Sequence, residues 1–218
     1  MRFRDRRHAG RELAERLATE IEGPAVVLAL PRGGVPVGLE IAKALGAPLD
    51  LVMVRKIGAP GQPELALAAV ANGDHPELVV NRDVMRMAGV DEAWLEERKA
   101  RELEEISRRR QRYLGDRARP RVAGRTAIVV DDGIATGATM LAALRAVRRA
   151  GPRALVLAVP VAPPDTIARL RPETDRIVCL HTPRDFVAVG QFYEDFTQTS
   201  DEEVIAALAA APATGEEA

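Results

Sequence analysis

The sequence predicts an α/β fold with a mostly parallel, doubly wound sheet and helices on both faces. Three observations carry that prediction. Short apolar runs such as "AVVLAL", "TAIVV" and "ALVLAVPVA" are continuous rather than alternating, as in strands buried on both faces. Between them lie segments whose apolar residues recur every three or four positions, the period of a helix. Glycine-rich turns join the strands to the helices, and such alternation gives a parallel sheet with covered faces. A chain of 218 residues suffices for one sizeable core, and one domain is expected over 1–210.

The elements follow in order. "RDRRHAGRELAERLATEIEG" spaces Leu13, Leu17 and Ile21 along one helical stripe, stopped by Gly23 and Pro24. "AVVLAL" is the first strand, and "PRGGVPVG" turns into a helix with Val37, Ile41 and Leu45 on its inner face. "LDLVMV" predicts a second strand leading into "RKIGAPGQPE", and two further strand-like runs, "LALAAVA" and "ELVVN", are separated by Gly73 and Pro76. Residues 83–115 then change character. They are dense in charge, with Leu95, Leu103 and Ile106 as the main apolar positions. Glu97 with Arg101, Glu104 with Arg108 and Glu105 with Arg109 have the spacing of helical ion pairs. A solvated helix and a mobile lid or subunit contact both fit so thin a stripe. After Pro120 the alternation resumes with "TAIVV", a helix through Ala150, "ALVLAVPVA", a short helix around "PPDTIARL", and "RIVCLH". A last helix is capped by Ser200 with Glu203 as its box partner, and 211–218 reads as a tail.

Composition narrows the class. With 31 basic and 32 acidic residues the net charge is -1, so no general basic field points to nucleic acid or a membrane surface. The single cysteine, Cys179, cannot form an internal disulfide and lies in an apolar strand as packing. No signal segment and no apolar run of about 18 residues is visible, so a cytoplasmic protein is expected.

The stretch "DDGIATGAT", from Asp131 to Thr139, carries the most chemistry. It follows a buried strand and opens a helix, the place where doubly wound sheets bind ligands. Gly133 and Gly137 allow close backbone approach, and successive N–H groups from Ala135, Thr136, Gly137, Ala138 and Thr139 can cradle a phosphate dianion. The threonines add hydroxyls. No Gly-Lys-Ser/Thr ending occurs, and "PRGGVPVG" lacks the Gly-x-Gly-x-x-Gly spacing, so neither a P-loop nor a dinucleotide fingerprint is present. Asp131 and Asp132 would repel a polyphosphate but can accept hydrogen bonds from a sugar diol. One phosphate in the nest and two hydroxyls on the acids describe a ribose 5-phosphate.

"IVVDDGIATGAT" is similar to the binding signature of the type I phosphoribosyltransferases. With "RKIGAPGQPELALAAVANG" and the segment 184–204, the chain resembles an uncharacterised branch of that family over most of its length. The resemblance implies the family's sheet with a small hood, here at about 181–200, and a helical lid or insertion at about 83–115. It implies 5-phosphoribosyl 1-diphosphate as the donor, with Asp131 and Asp132 on the ribose hydroxyls and the following loop on the 5-phosphate. Arg32, Gly33 and Gly34 resemble the family's diphosphate loop. Arg55 and Lys56, taken as the end of the second strand, resemble its second basic contact. The implied catalytic set is therefore Asp131, Asp132, Arg32 and Lys56, with Mg2+ carried mainly by substrate oxygens and reached by the two acids through water.

The acceptor is read less sharply. Ala135 stands where the 6-oxopurine enzymes carry an aspartate, which argues against those bases. Phe186, Phe192 and Tyr193, with Phe196, gather four of the seven aromatic residues in one segment, and Asp195 lies beside them. They could wall a planar base, or pack the C-terminal helix onto the sheet. His181 reads as a strand-end residue. The expected activity is phosphoribosyl transfer to a nucleobase-like nitrogen acceptor, by a homodimer. The alternatives are a sensor that binds the donor without turnover and, further off, a nucleotide-sugar or dinucleotide enzyme.

Overall fold

The computed structural model describes residues 2–72 and 76–213, so the expected turn at Gly73 and the end of the tail, 214–218, lie outside the described residues. Eight strands and seven α-helices are named among the described residues. Five of the strands form the parallel sheet: β1 (Ala25–Ala29), β2 (Leu49–Leu51), β6 (Thr126–Val130), β7 (Ala154–Val161) and β8 (Arg176–His181), in the order β2-β1-β6-β7-β8. The remaining three, β3 (Val54–Ala59), β4 (Gln62–Ala71) and β5 (Glu77–Val80), form a small antiparallel sheet.

Strand alternation splits the interior into two cores. Val27, Ala29, Ile128, Val130, Val156 and Ala158 face one side, where they meet α1 (Arg6–Ala18), α2 (Gly34–Leu45) and α7 (Asp201–Ala209). Val26, Leu28, Ala127, Val129, Leu155 and Leu157 face the other, against α5 (Ala138–Arg149) and α6 (Pro164–Leu170). Both faces of β1, β6 and β7 are thus apolar, as the continuous runs in the sequence require. Met140, Leu144 and Val147 are the buried stripe of α5, as its spacing predicts. Ser200 accepts from the Glu203 N–H while the Glu203 carboxylate accepts from the Ser200 N–H, completing the expected capping box.

Three expectations change. The α1 helix ends at Ala18, so Ile21 lies beyond it, half-buried against the same core. "LDLVMV" is not one strand. Val52 still donates to the Ala29 carbonyl, but Met53 donates to the Asn72 side chain and accepts from the Asn72 N–H. Those bonds carry the chain out of the parallel sheet and into the β3–β4 hairpin. Arg55 and Lys56 consequently sit within β3 rather than at the end of the second strand.

The charged segment forms α3 (Arg82–Ala88) and α4 (Glu92–Leu114). Near its start α4 lays Leu95 on the small sheet beside Ile57, Leu67 and Met85. Its last turns bury Ile106, Tyr113 and Leu114 in the main core. Arg110 adds a two-pronged ion pair to Asp50, at 2.9 and 3.0 Å, with both side chains nearly buried. The C-terminal half of α4 is therefore fastened down. Glu97–Arg101 and Glu105–Arg109 pair as their spacing predicts, whereas Arg108 takes Glu105 instead of Glu104.

Candidate functional site

Strands β1 and β6 are neighbours, and from them the chain departs to opposite sides of the sheet, β1 towards β2 and β6 towards β7. This is the switch point at which doubly wound sheets open a crevice beyond their carboxyl ends. The two glycine-rich turns of the sequence emerge there side by side. The "PRGG" turn follows β1, with a cis peptide between Pro31 and Arg32. The "DDGIATGAT" loop follows β6.

The turns touch. A Cβ on Gly33 would lie 2.0 Å from Asp132 Oδ2, and one on Gly34 would lie 2.7 Å from the Val130 carbonyl oxygen. Neither position tolerates a side chain, so bare backbone of the first turn faces the acids of the second. The structure thus brings together Arg32, Gly33, Gly34, Asp131 and Asp132, which are distant in sequence.

Beyond the acids the loop is held from outside. The Ile134 N–H donates to the Val161 carbonyl, the Thr166 hydroxyl donates to the Ala135 carbonyl at 2.7 Å, and Arg169 donates to the Thr136 carbonyl. These bonds occupy the carbonyls, while no protein acceptor among the described residues takes the N–H groups of 135–139. Gly137 caps α5 with φ +73, a left-handed conformation that suits glycine, and its open side meets Thr166. A row of unpaired N–H groups at the start of a helix is an anion cradle. Ala135, Thr136 and Ala138 are exposed and Thr139 is half-exposed, so the cradle is open to a ligand.

Electrostatics divide the two acids. Burial, followed by the neighbouring Asp132 charge, pushes the Asp131 carboxyl well above the usual carboxylate range. Asp131 Oδ1 accepts from the Asp132 N–H at 2.8 Å. At Asp132 burial again raises the pKa, opposed by Arg6, whose Nε lies 2.7 Å from Oδ2. Arg6 also donates to the Thr197 carbonyl and lies 4.0 Å above the Phe196 ring. Tyr193 donates its hydroxyl proton to the Asp132 carbonyl oxygen at 2.6 Å, and burial pushes its own pKa up.

Arg6, to which the sequence assigned no role, and Tyr193, which it placed in the aromatic cluster, are the residues that position Asp132. Arg6 is 126 positions from Asp132, and only tertiary structure joins them. Residues 3 and 4 exchange backbone hydrogen bonds with 192, 194 and 195, which lays the N-terminal segment across the site.

The other predicted residues are placed as follows. Arg55 pairs with Glu102 of α4 at 2.8 Å, and Lys56 is exposed on the opposite face of β3. Neither forms a bond to the Asp131–Thr139 loop among the described residues. The proposed aromatic wall needs correction. Phe192 and Tyr193 are buried with Phe3 and Val161, so their rings face the core and cannot both stack on a base. Phe186 stacks on Phe192 and packs against the same cluster, and Phe196 is the more exposed ring. Asp195 accepts from the Thr197 N–H and hydroxyl, which hold its carboxyl below the usual range. His181 ends β8 edge-on to Phe192, as a strand-end residue would. Burial pushes the Cys179 thiol up to about 11, an unreactive packing group.

No group of three or more His, Cys, Asp or Glu side chains that could cage a metal occurs among the described residues. Two adjacent carboxylates, one of them ion-paired, fit a magnesium ion supplied with its own phosphate oxygens and waters.

A five-stranded parallel sheet with a paired-acid, glycine-containing loop at its switch point, joined by a small antiparallel sheet, is a type I phosphoribosyltransferase fold. The phosphoribosyl transferase domain model matches residues 5–197, and the chain belongs to that family. It is 51% identical over 207 residues to Rv0571c of Mycobacterium tuberculosis H37Rv, which is provisionally named a phosphoribosyl transferase. That match covers 94% of this chain, which spans about half (46%) of the mycobacterial protein. The crystal structure of TT1426 from Thermus thermophilus superposes with a TM-score of 0.81 at 49% identity, covering 95% of this chain and 98% of that one. A hypothetical protein from Neisseria gonorrhoeae, solved with ppGpp bound, shares the fold at TM-score 0.51 and 16% identity, covering 96% and 98% of the two chains.

Proposed function

We propose that the chain transfers the phosphoribosyl group of 5-phosphoribosyl 1-diphosphate to a nitrogen acceptor, a nucleobase or similar planar base, and releases diphosphate. The observation that carries this reading is the abutment of the two switch-point turns. Ribose hydroxyls on Asp131 and Asp132 put the 5-phosphate in the 135–139 cradle and C1 towards the backbone of Gly33 and Gly34. The bond from C1 to the diphosphate oxygen breaks with its electron pair leaving on diphosphate, and the acceptor nitrogen supplies the pair for the new bond and gives up its proton to solvent. Alignment and charge stabilisation suffice for such a step, and no protein nucleophile is required. Magnesium, when bound, offsets the charge of the diphosphate. The chain's own part is to fix the sugar through the acids and to present amides and Arg32 to the leaving group. Asp132 must exchange its bond to Arg6 for one to a hydroxyl, so Arg6 holds the acid in place until the donor arrives.

The test mixes protein, donor, Mg2+ and a panel of bases and measures diphosphate release. Turnover on one base is expected. Tight donor binding with no turnover on any acceptor would instead assign the chain to a donor-sensing role.

A further inference from the structure

Four arginines meet at the C-terminal end of the charged helix. Arg32 from the β1–α2 turn, Arg108, Arg109 and Arg112 from the end of α4, Tyr113, and Asp201 at the start of α7 line a cavity of about 210 Å3. Among the described residues, Asp201 is the sole carboxylate of that lining. It accepts from the Tyr113 hydroxyl at 2.6 Å and lies 2.8 Å from Arg112 and 3.6 Å from Arg32. Glu105 balances Arg108 and Arg109 from outside the lining, and Glu202 stands 4.0 Å from Arg112. Even with these partners the guanidiniums outnumber the carboxylates.

We propose that this cavity is a binding site for an oligophosphate group. It is smaller than the roughly 300 Å3 and upwards of a drug-sized pocket, which suits a compact polyanion. Planar guanidinium forks bind phosphate oxygens in pairs and retain their charge at any physiological pH. The cavity is pre-formed, because Tyr113 and Ile106 of the same helix are buried in the core and Arg110 is locked to Asp50. Asp201 acts as an internal counter-ion that the ligand displaces from Arg32 and Arg112. Since Arg32 adjoins Gly33, the site begins one residue from the acid pair. The oligophosphate therefore has two sources: the donor's own diphosphate, under the function proposed above, or a separate ligand beside it.

The experiment titrates inorganic tripolyphosphate into the full chain by calorimetry, with no acceptor and no turnover involved. R109Q/R112Q should weaken binding at least about tenfold, the loss expected for two charge-assisted contacts. D201N should tighten it, a change of opposite sign that unfolding cannot imitate. R101Q, which removes the same kind of charge from a remote turn of α4, should leave it unchanged. Equal affinity in wild type and R109Q/R112Q would overturn the proposal, as would equal weakening by R101Q. Should R109Q/R112Q fail to fold, D201N decides alone, and unchanged or weaker binding in that variant overturns the site. A second titration with 5-phosphoribosyl 1-diphosphate separates the sources. A parallel loss in R109Q/R112Q assigns the cavity to the donor's diphosphate, and an unchanged donor affinity assigns it to a separate ligand.

Discussion

Asp131 concentrates the conflict between stability and binding in one side chain. Its pKa is raised by burial and by Asp132, so the folded state holds a proton that the unfolded chain has already released. That contribution to stability is complete below the unfolded carboxylate pKa and is lost as pH rises through the folded value. Asp131→Asn should therefore raise the melting temperature at neutral pH, and the gain should shrink as the pH is lowered towards the ordinary carboxylate range. Under the proposed function the same substitution should weaken donor binding, measured by calorimetry, at least about tenfold, because it takes away a carboxylate proposed to accept from a ribose hydroxyl. Arg6 presents the opposite case. Removing it leaves Asp132 buried without its cation, so Arg6→Ala should cost about 1–3 kcal/mol in urea denaturation. Nothing in the "RDRR" sequence marks Arg6 over its neighbours, because its role depends on an N-terminal segment lying across residues 192–195. The place of Asp131 and Asp132 at the end of a buried strand, by contrast, was legible, since "TAIVV" and the glycines that follow fix it within a few residues.

At the scale of elements, the best-read features are those decided locally. The Ser200–Glu203 box and the α5 stripe need only a few neighbouring residues, and both appear as expected. "LDLVMV" misled because its apolar residues run on unbroken from Leu51 to Val54 while the turn out of the sheet is made by Asn72, far along the chain. The aromatic cluster stayed open between two readings for a related reason. Composition gathers the rings but does not say which face of the segment meets the core. The α4 helix reads as solvated by charge, yet it is fixed at its C-terminal end by a nearly buried ion pair. Arg110→Ala, which leaves Asp50 unpaired, should destabilise the protein by about 3–5 kcal/mol. Hydrogen exchange should find amides around 106–114 far better protected than those around 96–104, where no residue of the helix is fully buried. Similar protection along the whole helix would contradict this division.

For the whole molecule, the switch point explains why two loops a hundred residues apart form one site. That arrangement was legible in outline, because alternating strands and helices leave few topologies, and glycine-rich turns follow the strands that end there. The small antiparallel sheet was not, since its strand runs carry no sign of which sheet they join. A donor that binds the folded state alone must stabilise it, by about 2.7 kcal/mol at a hundred times its dissociation constant. Thermal unfolding with 5-phosphoribosyl 1-diphosphate and Mg2+ should therefore shift upward in the wild type and much less in Asp131→Asn. No helix among the described residues is long and apolar enough to cross a membrane.

The α5 helix links the two sheets through methyl groups: Ala142 and Ala146 meet Ala69 and Ala71 of β4. The N-terminus of that helix carries the unpaired N–H groups of the candidate cradle, and its middle is the spacer on which the small sheet rests. The gap between the donor loop and the β3–β4 hairpin is thus gauged by four of the smallest side chains in the protein. Ala142→Leu should act as a shim, levering the hairpin outward without touching any ligand. The tolerances of the crevice are set at a seam where no chemistry takes place.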